Sequence, residues 1–219
     1  MKYIDFIEQI HSSTKRDYIK RVTEKSKAKC AVVAKKFDVD FFDGERCYGY
    51  GGYKYDGRWK NVAKRLVEFY HLKTGQSVLD IGCGKAHLLY EMMKLVPGLK
   101  IQGIDISEYA ITHTIEEIKP YLSIKSAQNL DFPDKSFDLV LSINTLHNLY
   151  IYDLIKAVKD VERIGKQSYI VVESYRNEEE KANMLYWQLT CECFFKVKEW
   201  EWIYKQCGYN GEYGFIFFE

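Results

Sequence analysis

The chain has 219 residues, long enough to bury one well-packed α/β core without disulfide or metal staples. Its 32 Lys and Arg stand against 31 Asp and Glu, a net charge of +1, so no overall field points to nucleic acid as a partner. No apolar run approaches the roughly 18 residues of a membrane span, and no apolar leader core opens the chain, so a cytoplasmic protein that does not enter the membrane is expected. The six cysteines occur singly at 30, 47, 83 and 207 or as Cys191-x-Cys193, never as the paired C-x-x-C sets of a zinc site, and read as reduced thiols.

Residues 1 to about 45 read as helical, with Ile4, Ile7 and Ile10, then Tyr18, Ile19 and Val22, near helical spacing. Ten Lys/Arg against four Asp/Glu in the first 36 residues read as a solvated helix face, the alternative being a basic docking arm. Tyr48 to Trp59 (YGYGGYKYDGRW) is a loop, because its four glycines break any period. Val62, Ala63, Leu66, Val67 and Tyr70 then mark an amphipathic helix. Strands follow near 77–81, 100–104, 121–125, 138–143, 168–173 and 214–218. Between them lies a helix marked by Leu154, Ile155, Val158 and Val161, with further helices near 178–188 and 197–207. This alternation implies an α/β fold with a mainly parallel sheet and helices on both faces. Residues 1–58 are expected as a helical cap and Tyr/Gly-rich lid, and 59–219 as the main domain, the two forming one structural unit.

The most informative run is Val78 to Leu89. An apolar strand breaks at Gly82-Cys83-Gly84, and a helical pattern starts at once with Leu88, Leu89, Met92 and Val96 on one face. Glycines there let backbone approach a ligand, and the helix start offers free N–H groups. Asp105 ends the next strand, 21 residues after Gly84, placed to accept hydrogen bonds from a ribose diol. The third glycine of a dinucleotide fingerprint is replaced by His87. Asp80 would repel a pyrophosphate but suits a ligand bearing an ammonium group. No triphosphate-binding loop is present either.

Asp80-Ile81-Gly82-Cys83-Gly84 and Gly103-Ile104-Asp105-Ile106-Ser107 resemble the first two motifs of class I S-adenosylmethionine-dependent methyltransferases. The resemblance implies a Rossmann-like fold. It also implies S-adenosylmethionine as cofactor, S-adenosylhomocysteine as product, and a cofactor site of Asp80, Gly82, Cys83, Gly84, Asp105, Ile106, Ala127, Gln128 and Asn144. Ser126-Ala127-Gln128-Asn129 would meet the adenine ring, although family members often carry an acid at the position of Ser126. Ser142 to Asn148 matches the motif where methyl and acceptor meet, and His147 is the candidate general base because an ordinary imidazole titrates near neutrality. His11, His71, His87 and His113 are read as structural. No metal is expected, since no carboxylate cluster marks the acceptor side. The topology of the last strands and the oligomeric state are left open.

For the acceptor, Tyr48, Tyr50, Tyr53 and Tyr55 are expected as aromatic walls of a lid, and Lys54, Arg58 and Arg176 as anion contacts. The Tyr48–Trp59, INTLHNLY and VESYRNE stretches resemble a group of small bacterial methyltransferases of surface-polysaccharide modification, including phosphoramidate methylation in capsule biosynthesis. That resemblance implies a small, anionic acceptor and no nucleic-acid partner. Two other classes compete: an RNA or protein methyltransferase that docks through the basic N-terminal segment, and a cofactor-binding module without catalysis.

Overall fold

Apolar strands whose side chains point alternately up and down need cover on both faces, which a parallel sheet flanked by helices supplies. In the computed structural model, which describes residues 1–12 and 14–219, seven strands do this. They are β1 (Lys2–Tyr3), β2 (Ser77–Ile81), β3 (Lys100–Asp105), β4 (Leu122–Ile124), β5 (Phe137–Ile143), β6 (Gly165–Glu173) and β7 (Glu212–Ile216). Their spatial order is β1-β7-β6-β5-β2-β3-β4, with every neighbouring pair parallel. The question the sequence left open is thereby answered: β7 runs parallel to β6, and the N-terminal strand closes that edge.

The helices are α1 (Glu8–Ser12), α2 (Tyr18–Thr23), α3 (Lys27–Ala34), α4 (Val39–Phe42), α5 (Lys60–Phe69), α6 (His87–Leu95), α7 (Glu108–Thr112), α8 (Ile151–Ile164), α9 (Glu178–Trp187) and α10 (Val197–Gln206). Val78, Leu139, Leu141 and Tyr169 face one side of the sheet, in a core completed by Leu66, Met92 and Met184 from α5, α6 and α9. Leu79, Val140, Ile170 and Val172 face the other, with Leu154 and Val158 of α8 and Trp200 and Tyr204 of α10. The chain winds outward in both directions from β2, whose neighbours are β3 and β5. A crevice therefore opens beyond the carboxyl ends of β2 and β5.

The N-terminal segment departs from the all-helical expectation. Ile4 N–H bonds Tyr213 O, the Tyr169 hydroxyl donates to Ile4 O, and Asp5 turns the chain by accepting from Ile7 N–H at 2.9 Å. The open edge of β7 thus captures the first residues before a helix can start. The four short helices that follow pack α3 and α4 around Cys30, Phe41 and Phe42, against Ala110 of α7. This places a cap over the crevice.

Candidate functional site

The glycine turn is built by its neighbours. Gly82 and Cys83 both donate their N–H to Ile104 O, and Gly84 donates to Asp105 Oδ2 at 2.8 Å. The strand-end acid thus holds the turn open, and Ser107 N–H holds its other oxygen at 2.8 Å. Gly82 sits at φ +75°, and a Cβ there would meet Thr145 Oγ1 at 2.1 Å. Only glycine lets β2 and the end of β5 approach this closely. Asp80 is buried with no cationic partner among the described residues, and burial, reinforced by Asp105, pushes its carboxyl up to about 7. Burial also raises Asp105, against the N–H donors around it. Two uncompensated acids beside a glycine turn are suited to a cation and to hydroxyl donors, not to phosphate.

From this turn a cavity of about 470 Å³ runs under the cap to a second end beyond β5 and β6. Asn144, at φ +59° after β5, and His147, in the 3-10 turn Leu146–Asn148, reach that end from one strand. Glu173 reaches it from the end of β6, only 4% exposed, with Oε2 3.5 Å from His147 Nε2. Burial drives His147 down to about 3 and Glu173 up to about 8, so at neutral pH both are largely uncharged. Arg16 enters from the N-terminal segment, over the rings of Trp187 and Phe218. His11 sits beside it, Nδ1 to Nη2 2.9 Å, and is pushed down to about 4 by burial and then by Arg16. Asn144 Oδ1, His147 Nδ1, Asn148 Oδ1, Glu173 Oε2 and Arg16 Nε are buried without a hydrogen-bond partner among the described residues. Unmatched polar atoms gathered at one end of a cavity mark a place for a polar ligand.

A family model described as a methyltransferase domain matches residues 72–211. The chain belongs to that family. The methyltransferase domain is 35% identical over 95 residues to the mitochondrial arginine-hydroxylase NDUFAF5 of Rattus norvegicus, covering 43% of this chain and 27% of that protein. It is 35% identical over 125 residues to a demethylmenaquinone methyltransferase of Desulfitobacterium hafniense, covering 53% and 47%. The matches therefore span less than half of either relative. The crystal structure of YcgJ from Bacillus subtilis superposes with a TM-score of 0.55 at 21% identity over 66% of each chain, a likeness of fold. The fold of this family binds S-adenosylmethionine, and the residues here fit it. The glycine cradle would be filled by a Cβ, Asp105 has lone pairs beyond its two N–H donors, and Asp80 lacks a counter-charge.

Asp80, Gly82, Cys83, Gly84, Asp105, Ile106, Ala127, Gln128 and Asn144 all line the cavity of this methyltransferase domain. Ile106 is 60% exposed, an apolar surface on the cavity wall and not core packing. Gln128 is held by Asp153 through a 2.7 Å bond from Nε2, and its N–H is taken by Ser126 Oγ at 3.2 Å.

The acceptor residues expected from sequence divide. Tyr50, Tyr53 and Arg58 line the cavity; Tyr48, Lys54, Tyr55 and Arg176 do not. Tyr55 lies outside, bonded to Glu91 and packed on Tyr90, and Lys25 sits over the Tyr48 ring. The Tyr50 hydroxyl donates to Gln188 Oε1 at 2.7 Å and accepts from Leu189 N–H, so it tethers the loop to the segment after α9. Tyr53 packs against the Phe41 and Phe42 rings. Arg58 is neutralised by Asp56, with Nε 2.8 Å from Oδ2. Arg176 is clamped by Glu180 and Glu219 at a separate hollow beside Tyr3 and Phe215, because the chain turns there into the acidic start of α9. Arg16, also in the cavity wall, makes no ion pair within 4 Å among the described residues and bonds His11 instead. His147 lines the same cavity, but its burial removes the near-neutral titration that motivated the base role.

Sequence reasoning missed Arg16, His11 and Glu173. It also missed a latch in which Lys85 Nζ and the Tyr109 hydroxyl both bond Asp43 Oδ2, at 2.6 and 2.7 Å, joining cap to glycine turn. His147, Glu173 and Cys191 bring their ligating atoms within 4.8 Å of one another, a set that could hold a metal ion. These residues are scattered along the chain, so only the fold could assemble them.

Proposed function

We propose that this chain transfers a methyl group from S-adenosylmethionine to a small acceptor carrying an anionic group. The observation that carries the reading is the one cavity joining the glycine turn and Asp105 to an end lined by Arg16, which makes no ion pair within 4 Å among the described residues. S-adenosylmethionine, when bound, supplies an electrophilic methyl. The chain's own part is to hold the ribose and ammonium ends at Asp105 and Asp80, exclude water beneath Tyr50, Tyr53 and Trp59, and fix the acceptor at Arg16 and His147. An acceptor that is already an oxyanion needs no base, and a neutral His147 then serves to orient it. Capsular phosphoramidate is the first such acceptor to try, supported by the Tyr48–Trp59, INTLHNLY and VESYRNE resemblances. We place the reaction in the cytoplasm, in keeping with six free thiols, and no described helix is long and apolar enough to cross a membrane.

The test is production of S-adenosylhomocysteine from S-adenosylmethionine with phosphoramidate or pooled anionic metabolites. No product with any pool, despite cofactor binding, would support a non-catalytic module. The name of the arginine-hydroxylase relative favours a second reading, another reaction on the same fold, since fold does not fix chemistry. Product formed without S-adenosylhomocysteine would establish it. An RNA or protein acceptor is less well supported, because Arg16 and Arg21, two of the N-terminal cations, turn inward onto Trp187.

A further inference from the structure

Three ligand-bearing side chains meet at the far end of the cavity, on elements that the backbone ties together. His147 lies in the turn after β5, Glu173 ends β6, and Cys191 follows α9. β5 and β6 pair through Ile143 and Val171, and the His147 carbonyl accepts from both Glu192 N–H and Cys193 N–H at 3.0 Å. Trp200 Nε1–H holds the Glu173 carbonyl at 3.1 Å. Main-chain bonds thus set the three side chains against one another. All three are more than nine-tenths buried, and their ligating atoms lie within 4.8 Å of one another.

Their mutual contacts fall short of hydrogen bonds. Glu173 Oε2 stands 3.5 Å from His147 Nε2 yet has no hydrogen-bond partner among the described residues, and His147 Nδ1 is unmatched as well. The Cys191 thiol donates to the Cys193 carbonyl at 3.4 Å, a weak bond. A carboxylate oxygen and an imidazole nitrogen bound to one tetrahedral ion about 2 Å away stand roughly 3.3 Å apart, close to the separation found here. A sulfur bound at about 2.3 Å stands roughly 3.6 Å from either, so the thiol has to close by roughly 1.2 Å at most, within reach of a turn about its Cα–Cβ bond. The Asn144 and Gln188 amides favour the ionised form of the Glu173 carboxyl, as supports of a ligating carboxylate do.

We propose that His147, Glu173 and Cys191 form a binding site for one divalent transition-metal ion of the zinc class. The thiolate selects a borderline-soft ion over Mg²⁺ and Ca²⁺, which take oxygen ligands. Thiolate and carboxylate together match the ion's two positive charges, which makes their ionised forms tolerable away from water. Arg16 interacts electrostatically with Glu173 and with Tyr18, and its charge leaves the loaded site favourable to an anionic fourth ligand. His147 and Glu173 line the cavity, so the fourth position opens toward it. Ion binding needs no turnover. Only the further step, in which the acceptor's anionic group takes the fourth position, rests on the proposed methyl transfer.

The test loads the full chain, stripped of metal by a chelator, with Zn²⁺. At about pH 7.5 it should take up one equivalent with a dissociation constant below about 1 μM, read by competition with a chromophoric chelator. Excess Mg²⁺ should not displace it. X-ray absorption of the Zn²⁺-loaded wild type should show one sulfur at about 2.3 Å and the other ligands at about 2.0–2.1 Å. Co²⁺ in its place should give a thiolate-to-metal charge-transfer band that Cys191→Ser abolishes. Cys191→Ser, Glu173→Gln and His147→Ala should each weaken Zn²⁺ binding at least about hundredfold, whereas Cys47→Ser, at a half-buried thiol elsewhere, should not weaken it. Adding phosphoramidate to the Co²⁺-loaded chain saturated with S-adenosylhomocysteine should shift the visible spectrum, and an unshifted spectrum removes the acceptor from the fourth position. Absence of a stoichiometric Zn²⁺ complex overturns the site, as does a zinc shell with no sulfur or with two, and these wild-type results need no variant to fold. Binding kept in Cys191→Ser but lost in Cys47→Ser would overturn it too. Zn²⁺ bound as expected by a chain that forms no S-adenosylhomocysteine with any acceptor would sink the methyl-transfer reading and leave the metal site standing.

Discussion

With the cofactor's ammonium seated at Asp80, as proposed, binding should depend on pH in a direction set by the burial of that carboxyl. Its carboxyl, 4% exposed, is held at about 7 by burial and by Asp105, against an ordinary value of 3.8. The folded chain therefore keeps this proton over a range where the unfolded chain has released it. Between about pH 4 and 7 the native state binds more protons, so the free protein loses stability as pH rises, by about 4 kcal/mol at the limit for this one group. A ligand ammonium seated at Asp80 favours the ionised form and reverses the penalty. At pH 6 the carboxyl is mostly protonated while the amine of S-adenosylmethionine is already charged, so binding should expel close to one proton. Affinity should be about tenfold weaker at pH 6 than at pH 7.5. Calorimetry at pH 6 in two buffers of different ionisation enthalpy reads the proton directly. Thermal melts from pH 5 to 8 should fall for the free protein and much less for the cofactor-loaded one. Asp80→Asn should make the melts fall less steeply, the remaining slope belonging to Glu173, whose carboxyl burial raises to about 8, and should abolish the proton release. Identical heats in both buffers would refute the assignment of Asp80 to the ammonium end.

Three further outcomes follow from the geometry. Asp105→Ala should weaken S-adenosylmethionine binding by about 1.5–3 kcal/mol, the worth of charge-assisted hydrogen bonds, as measured by calorimetry on folded protein. Gly82→Ala should destabilise the domain by at least about 2 kcal/mol in chemical unfolding, because the new Cβ strikes Thr145 at positive φ. Adding Thr145→Ala should recover part of that loss. Tyr50→Phe should lower stability by about 2–3 kcal/mol, since Leu189 and Thr190 N–H lose their acceptor, while cofactor affinity barely changes.

The cofactor half of the molecule was readable from sequence because its determinants are local. Val78, Leu79 and Ile81 give the first buried strand its apolar faces, Gly82 and Gly84 mark a turn only glycine makes closely, and Asp105 ends the neighbouring strand. All of this lies within about thirty residues of chain, inside one strand–helix–strand unit whose handedness and pairing are nearly invariant. The edge of the sheet was not readable. Lys2–Tyr3 has no strand signature of its own, and it pairs because β7, more than 200 residues away, exposes unpaired backbone groups. Ile4, Ile7 and Ile10 keep helical spacing, but Asp5 and the Tyr169 hydroxyl claim the backbone first.

At the far end of the cavity, sequence located the segments but not which of their cations are paired with acids of the same chain. A cation is useful to a ligand only if no acid of the same chain reaches it first, and reach is a property of three-dimensional placement. Arg58 has Asp56 two residues away, a pairing visible in sequence in retrospect, and Arg176 has Glu180 one helical turn on. Arg16 has Asp17 as its neighbour, yet Asp17 caps α2 by accepting from Lys20 N–H, and no ion pair joins the two among the described residues. Capping thus frees Arg16 for the cavity. The same logic applies to Glu173. Its strand is apolar from Tyr169 onward, and the acid at its end is buried because the cap, α9 and the His147 turn close over it.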